Sequence, residues 1–168
     1  MDNNEQLSRE LHRVVTTIIV YTPERKFLIA KRALEKKAYP GKWNVPGGGL
    51  EIDDYIHSTP SHGDQWYHAL QNTMRRELRE EVNIEIGKPE FLLDITFIRP
   101  DGVPILVLSY HAPYVSGEVK LIDKHNTDFA WVTAEEAAKY DLIEGTLGEI
   151  QMVDEILKKR MIEELVRA

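Results

Sequence analysis

Residues 76 to 84 read Arg76-Glu77-Leu78-Arg79-Glu80-Glu81-Val82-Asn83-Ile84, which packs three carboxylates into five positions. At about 100° per residue, Glu77, Glu80 and Glu81 fall within roughly one quadrant of a helix. Like charges three and four residues apart on a helix repel, so gathering them on one side calls for a cation. Hard divalent ions take oxygen ligands and share them with substrate phosphates. Upstream, Pro46-Gly47-Gly48-Gly49 supplies a backbone that turns tightly and lets a ligand come close. Arg76, four residues before Glu80, is placed to pin that carboxylate by a charge-assisted hydrogen bond. The competing reading is a solvated helix face neutralised by Arg75, Arg76 and Arg79, the commoner fate of a charge run. The glycine turn and the flanking strands weigh against it.

Those residues need a scaffold, and the chain has the pattern of one. Residues 14–21 are rich in β-branched side chains and read as a strand, followed by a turn at Thr22-Pro23-Glu24 and a second strand at 26–31. A short strand at 42–45 runs into the glycines. Residues 52–67 carry the turn formers Asp53, Asp54, Pro60, Gly63 and Asp64 and read as a loop. A helix is expected over 66–81, with Asp64 as its N-cap. Strands are expected at 91–98, 105–111 and 128–132. Thr133 then caps a short helix that has Glu135 and Glu136 in its first turn. A final helix over 147–166 shows Ile150, Val153, Leu157, Met161 and Leu165 at helical spacing. The class is α/β (α+β), a mixed β-sheet between helices. Residues 1–168 are expected to form one domain, with 1–10 a flexible N-terminus.

Composition bounds the chemistry. The 168 residues contain no cysteine, which removes disulfides, thiolate metal sites and cysteine nucleophiles. A net charge of −7 argues against a nucleic-acid polymer as partner, though not against a phosphorylated small molecule, because a bound metal reverses the local sign. The polar N-terminus shows no signal sequence, and the longest apolar stretch, 14–21, is far short of the ~20 residues a membrane span needs. The expected location is cytoplasmic, away from membranes.

The order strand, Pro46-Gly47-Gly48, Glu51, then Arg76-Glu77-Leu78-Arg79-Glu80-Glu81 resembles the Nudix hydrolases, including their MutT-like members. Leu28-Ile29-Ala30-Lys31-Arg32 and Trp43-Asn44-Val45 are similar to the strands that precede the turn in many members. The resemblance extends from about Val14 to Val132. It implies a Nudix-like α/β/α sandwich, Mg²⁺ as cofactor with Mn²⁺ as an alternative, and metal ligation by Gly47, Glu77, Glu80 and Glu81. Glu80, Glu81 and Arg76 are the catalytic candidates, with Glu80 or Glu81 as the base. Arg32, Glu51, His125 and Asp128 are candidates for touching substrate, and Asp123 shares the loop of the last two. A homodimer is expected by analogy.

Three departures from the family signature stand out. Arg76 follows Gly48 by twenty-eight residues where the signature has fourteen, so fourteen extra residues lie inside the motif. Counting back eight from Arg76, the position of the intermediate Glu holds His68, and Asp64 is a possible stand-in. Asn83 replaces the closing glycine, a mild change because Asn tolerates the left-handed conformation. The insertion, with His57, His62, Trp66, Tyr67 and His68, is either part of the substrate pocket or a surface excursion.

The expected activity is Mg²⁺-dependent hydrolysis of a phosphoanhydride in a nucleoside diphosphate linked to another group, such as a nucleotide sugar or ADP-ribose. One alternative is a triphosphate pyrophosphatase that cleanses oxidised nucleotides such as 8-oxo-dGTP. Another, of a different class, is a module that senses a nucleotide without hydrolysing it.

Overall fold

In the computed structural model, residues 10–122 and 124–167 are described. The expected flexible segment at 1–10 therefore lies almost wholly outside them, as does Asp123.

The longest strand, β7 (Pro104–Ser116), is the axis of the sheet. It pairs in parallel with β1 (Arg13–Tyr21) from Arg13↔Ile105 to Tyr21↔Pro113. On its other edge it pairs antiparallel with β6 (Glu90–Ile98) and the two-residue β5 (Glu85–Ile86). β1 in turn meets β4 (Gly47–Gly49) along Val15↔Gly49 to Thr17↔Gly47, and turns into β2 (Phe27–Arg32). β2 pairs with β3 (Trp43–Asn44) and β8 (Asn126–Val132). Eight strands thus form one mixed sheet, the expected class.

Alternation along β1 builds both sides of the sandwich, because successive strand side chains point to opposite faces. Ile18 and Val20 pack with Met74, Leu78 and Val82 of α1 (Ala69–Val82). Ile19 faces the other way and packs with Ile150, Val153 and Leu157 of α3 (Thr146–Arg167). These side chains are essentially removed from water, at roughly 1.5–3 kcal/mol for each large apolar group. Between them lies the short α2 (Ala134–Ala137), whose N-cap Thr133 accepts from the Glu136 N–H while the Glu136 carboxylate accepts from the Thr133 N–H.

Several boundaries differ from the sequence expectation. α1 starts at Ala69 rather than 66, and Asp64 is not its cap. His68 occupies the N-cap position in a left-handed conformation (φ 63°) and closes the loop before the helix can begin. β7 extends to Ser116 because β1 on one edge and β5 on the other keep supplying backbone partners. The two shortest strands, β4 and β5, carry too few residues for any periodicity to reveal them. At the helix end, Asn83 is left-handed (φ 58°), and its side-chain amide donates to the Glu118 carbonyl.

On the face of the sheet covered by α3, Glu149 is a buried acid. Ser109 of β7 donates to the Glu149 carboxylate, and both residues are buried. Burial raises the Glu149 pKa, and the Ser109 hydrogen bond offsets this only in part. A carboxyl whose folded pKa is raised contributes stability below its unfolded pKa and loses it as pH rises through the folded value. Glu149→Gln keeps an acceptor for Ser109 without the titration. Its stability relative to the parent chain should therefore climb in urea unfolding as pH rises above the ordinary carboxylate range. A pH-independent difference would remove Glu149 as the titrating group.

Candidate active site

The glycine turn after β3 and the helix α1 meet because two glycines let them. A Cβ built at Gly47 would overlap the Thr16 carbonyl of β1, and one built at Gly48 would overlap the Glu77 carboxylate. Only a bare backbone allows this strand and that acid to share the space. Gly47 then donates its N–H to Glu81 Oε2 at 3.2 Å. Glycine turn and carboxylate helix are thereby joined at two adjacent residues.

Arg76 is the organising cation. Its Nε donates to Asp54 Oδ1 at 2.5 Å, and one terminal nitrogen reaches both Asp54 Oδ2 and the Gly49 carbonyl at 3.2 Å. The other lies 3.0 Å from Glu77 Oε1 and from Glu80 Oε2. The Asp54 side chain is wholly buried. Asp54 also accepts from the Glu51 N–H at 2.9 Å and from the Thr73 hydroxyl at 2.8 Å. Burial opposes its ionisation, but these donors together outweigh it and hold the carboxyl below the ordinary range. The Asp54 hydrogen bond in turn raises the Arg76 pKa, so the guanidinium stays charged.

Asp54 is the residue that counting back from Arg76 misses. It lies in a 3-10 turn (Ile52–Asp54) that opens the segment read as loop, and neither His68 nor Asp64 takes the intermediate position. Counting forward six residues from Gly48 reaches it. The insertion therefore falls between Asp54 and Arg76, after the carboxylate rather than before it. Its ring Tyr55 packs on Trp66, and Trp66 Nε1 donates to the Ser58 carbonyl at 2.9 Å. Tyr67 stays more than half exposed, and His57, His62 and His68 are exposed as well.

The three glutamates differ in setting. Glu77 is nearly buried and Glu80 is more than half exposed, whereas Glu81 is buried. Burial raises the Glu77 pKa, Arg76 lowers it, and the charges of Glu80 and Glu51 push it further up. Among the described residues no three acidic or histidine side chains already converge as metal ligands, since Arg76 and the Gly47 N–H hold these carboxylates. The donor set nonetheless fits a hard divalent cation. It consists of carboxylate oxygens only, one of them desolvated against like charge and seated where a Gly48 side chain would otherwise be.

Of the substrate candidates, Arg32 and Glu51 have links to this cluster, while His125 and Asp128 are held by other contacts. Arg32, at the end of β2, donates through Nε to the Ala38 carbonyl at 3.0 Å and lies within electrostatic range of Glu81. Its pKa is lowered by burial, with Glu81 opposing. Glu51 is exposed and contributes its N–H to Asp54. The His125 carbonyl accepts from the Ala33 N–H at 2.9 Å. Asp128 stands opposite Lys31 in the β2–β8 ladder, exposed, with its carboxylate on the Phe129 N–H.

A family model described as NUDIX domain matches residues 11–153. The chain is 28% identical over 125 residues to the nucleoside triphosphatase NudI of Klebsiella pneumoniae (strain 342), covering 71% of this chain and 81% of that one. It is 30% identical over 122 residues to NudI of Escherichia coli O17:K52:H18, covering 69% and 79%. Among solved structures, the fold is similar to a MutT NUDIX hydrolase from Burkholderia pseudomallei. The TM-score there is 0.67 at 19% identity, over 84% of this chain and 98% of that one. It is also similar to the NUDIX domain of Shewanella oneidensis NrtR complexed with ADP ribose, with TM-score 0.69 and 18% identity over 94% and 99%. At these identities the structures speak to the fold alone.

Losing a buried hydrogen-bond partner of a charged group costs about 1.5–3 kcal/mol, and Arg76 still keeps Glu77 and Glu80 when Asp54 is removed. Asp54→Ala should destabilise the chain by that order in urea unfolding. A cost near zero would show that Arg76 holds the turn and helix together without it.

Proposed function

Because the chain belongs to the NUDIX domain family and is a Nudix hydrolase, we propose that it cleaves a phosphoanhydride bond in a nucleoside di- or triphosphate derivative with Mg²⁺ or Mn²⁺. One observation carries this reading: Glu77, Glu80 and Glu81 gather on one helix around Arg76 and against the Gly47-Gly48 turn. The intact carboxylate set argues for turnover over mere sensing. Residues 1–168 are taken as one hydrolase domain acting on a small nucleotide rather than a nucleic-acid polymer, and as a homodimer. The location is taken as cytoplasmic, and no helix among the described residues is long and apolar enough to cross a membrane.

Glu77, Glu80, Glu81 and the Gly47 carbonyl would hold the cation. When bound, such a cation neutralises phosphate oxygens and lowers the pKa of a bound water. The chain's own residues do the rest. Arg76 fixes the helix against the glycine turn and keeps the Glu77 and Glu80 carboxylates oriented. Glu80 or Glu81 accepts the proton of the water that attacks phosphorus. Arg32 offers a positive charge to the departing phosphate, and Glu51, His125 and Asp128 border the substrate.

Two substrate classes compete. A nucleoside diphosphate linked to another group is the first. The triphosphate reading is favoured by the NudI relatives, which are nucleoside triphosphatases.

Glu80→Gln and Glu81→Gln should each lower turnover by roughly 10²–10⁴-fold, with thermal unfolding unchanged. The assay is a panel of ADP-ribose, nucleotide sugars, dinucleoside polyphosphates and canonical or oxidised triphosphates, each with Mg²⁺ and with Mn²⁺. Near-parent turnover in either variant would take that residue out of the mechanism.

A further inference from the structure

A chain of net charge −7 concentrates positive charge in one place. Residues 31–42 hold Lys31, Arg32, Lys36, Lys37 and Lys42 against a single acid, Glu35. The fold turns that stretch into the wall of a cavity. Ala33 donates its N–H to the His125 carbonyl at 2.9 Å, which brings the segment before β8 against the loop after β2. Between them lies a cavity of about 560 Å³ lined by Ala33, Glu35, Lys36, Lys37, Lys124 and His125, within the size range of small-molecule sites.

The loop that forms the wall is anchored rather than loose. Arg32 donates through its backbone N–H to the Lys42 carbonyl at 2.9 Å, and its own carbonyl accepts from the Gly41 N–H at 3.2 Å. Its side chain spans the loop to Ala38. Arg32 therefore stands at the junction, with Glu81 on one side and the cavity wall, from Ala33 onward, continuing on the other. From Lys42 the chain passes through β3 into the Pro46-Gly47-Gly48 turn. Arg32 thus links the cavity wall to the carboxylate helix.

Sign distinguishes this cavity from another of similar size, about 540 Å³, whose charged lining residues are Glu24, Glu118 and Lys26. Among the described residues, the first sets three lysines against one glutamate. Clustered ammonium groups raise the local concentration of anions and bind phosphate as point charges.

We propose that the cavity bounded by Lys36, Lys37 and Lys124 is an anion subsite for the terminal phosphates of the substrate, beyond the bond that is cleaved. It rests on the reading of the chain as a phosphoanhydride hydrolase and selects between the two substrate classes. Substrates whose far end carries phosphate, such as nucleoside triphosphates, are held there. Nucleotide sugars with an uncharged far end are not.

The test uses the full chain and the exposed residues Lys37 and Lys124, which have no part in the carboxylate site. Calorimetry with inorganic tripolyphosphate, without added metal, reads the subsite apart from catalysis. Lys37→Glu/Lys124→Glu should weaken binding by at least about tenfold, with Lys37→Ala/Lys124→Ala intermediate and thermal unfolding unchanged in both. In steady-state assays the charge-reversed variant should raise KM for a nucleoside triphosphate by a similar factor at constant kcat. KM for a nucleotide sugar should stay within about twofold. Absence of tripolyphosphate binding in the parent chain, equal binding by parent and variants, or equal KM changes for both substrates would overturn the proposal. If the parent chain hydrolyses no member of the panel, the hydrolase reading fails, and the calorimetric comparison alone still decides the subsite.

Discussion

The ion pair between Asp54 and Arg76 is the interaction on which the rest of the site hangs. One partner is wholly buried, and its carboxylate takes donors from three places: the guanidinium of α1, the backbone at Glu51 and the hydroxyl of Thr73. A buried carboxylate with so many donors stays ionised, and Arg76 must stay to neutralise it. That fixes where Arg76 points. Its terminal nitrogens then also reach Gly49, Glu77 and Glu80, so the orientation of those two acids follows from this pair.

The same pair explains how the chain tolerates a long excursion inside its motif. The inserted segment leaves just after Asp54 and returns at α1, and both ends are tied to each other by Asp54 to Arg76 and by Asn72 to the Asp54 carbonyl. Lengthening a loop whose ends are already held together adds little closure entropy. Contacts of its own, Tyr55 on Trp66 and Ser61 with Tyr67 and Gln65, give the excursion internal order. The site geometry is thereby insulated from the insertion's length.

Charge is arranged in two opposed zones. Carboxylates crowd on α1, where like-charge repulsion and burial raise the Glu77 pKa. Lysines crowd on the loop after β2, and Arg32 sits between the zones. A polyphosphate chain carrying a divalent cation has the complementary pattern, with neutralised phosphates at one end and bare ones at the other. The glycine turn contributes by having no side chains at all, since any at Gly47 or Gly48 would displace backbone or acid.

The residue order alone determined whatever depends on local periodicity. The 3.6-residue repeat placed Glu77, Glu80 and Glu81 together, the i,i+4 spacing joined Arg76 to Glu80, and β-branched content marked 14–21 as a strand. Asn83 was legible because few residues tolerate a left-handed helix end. Tertiary structure decided what depends on contacts across the chain. Asp54 was obscured because the insertion made the count from Arg76 misleading, and only its burial against Arg76 and Thr73 marks it. The start of α1 depended on the backbone twist at His68, which no propensity anticipates. The basic cavity exists because the β2–β8 ladder, continued by the Ala33–His125 hydrogen bond, joins segments ninety-two residues apart. Local patterns report what a helix or strand does to its own neighbours, whereas a buried pair or a cavity wall needs two distant segments to meet.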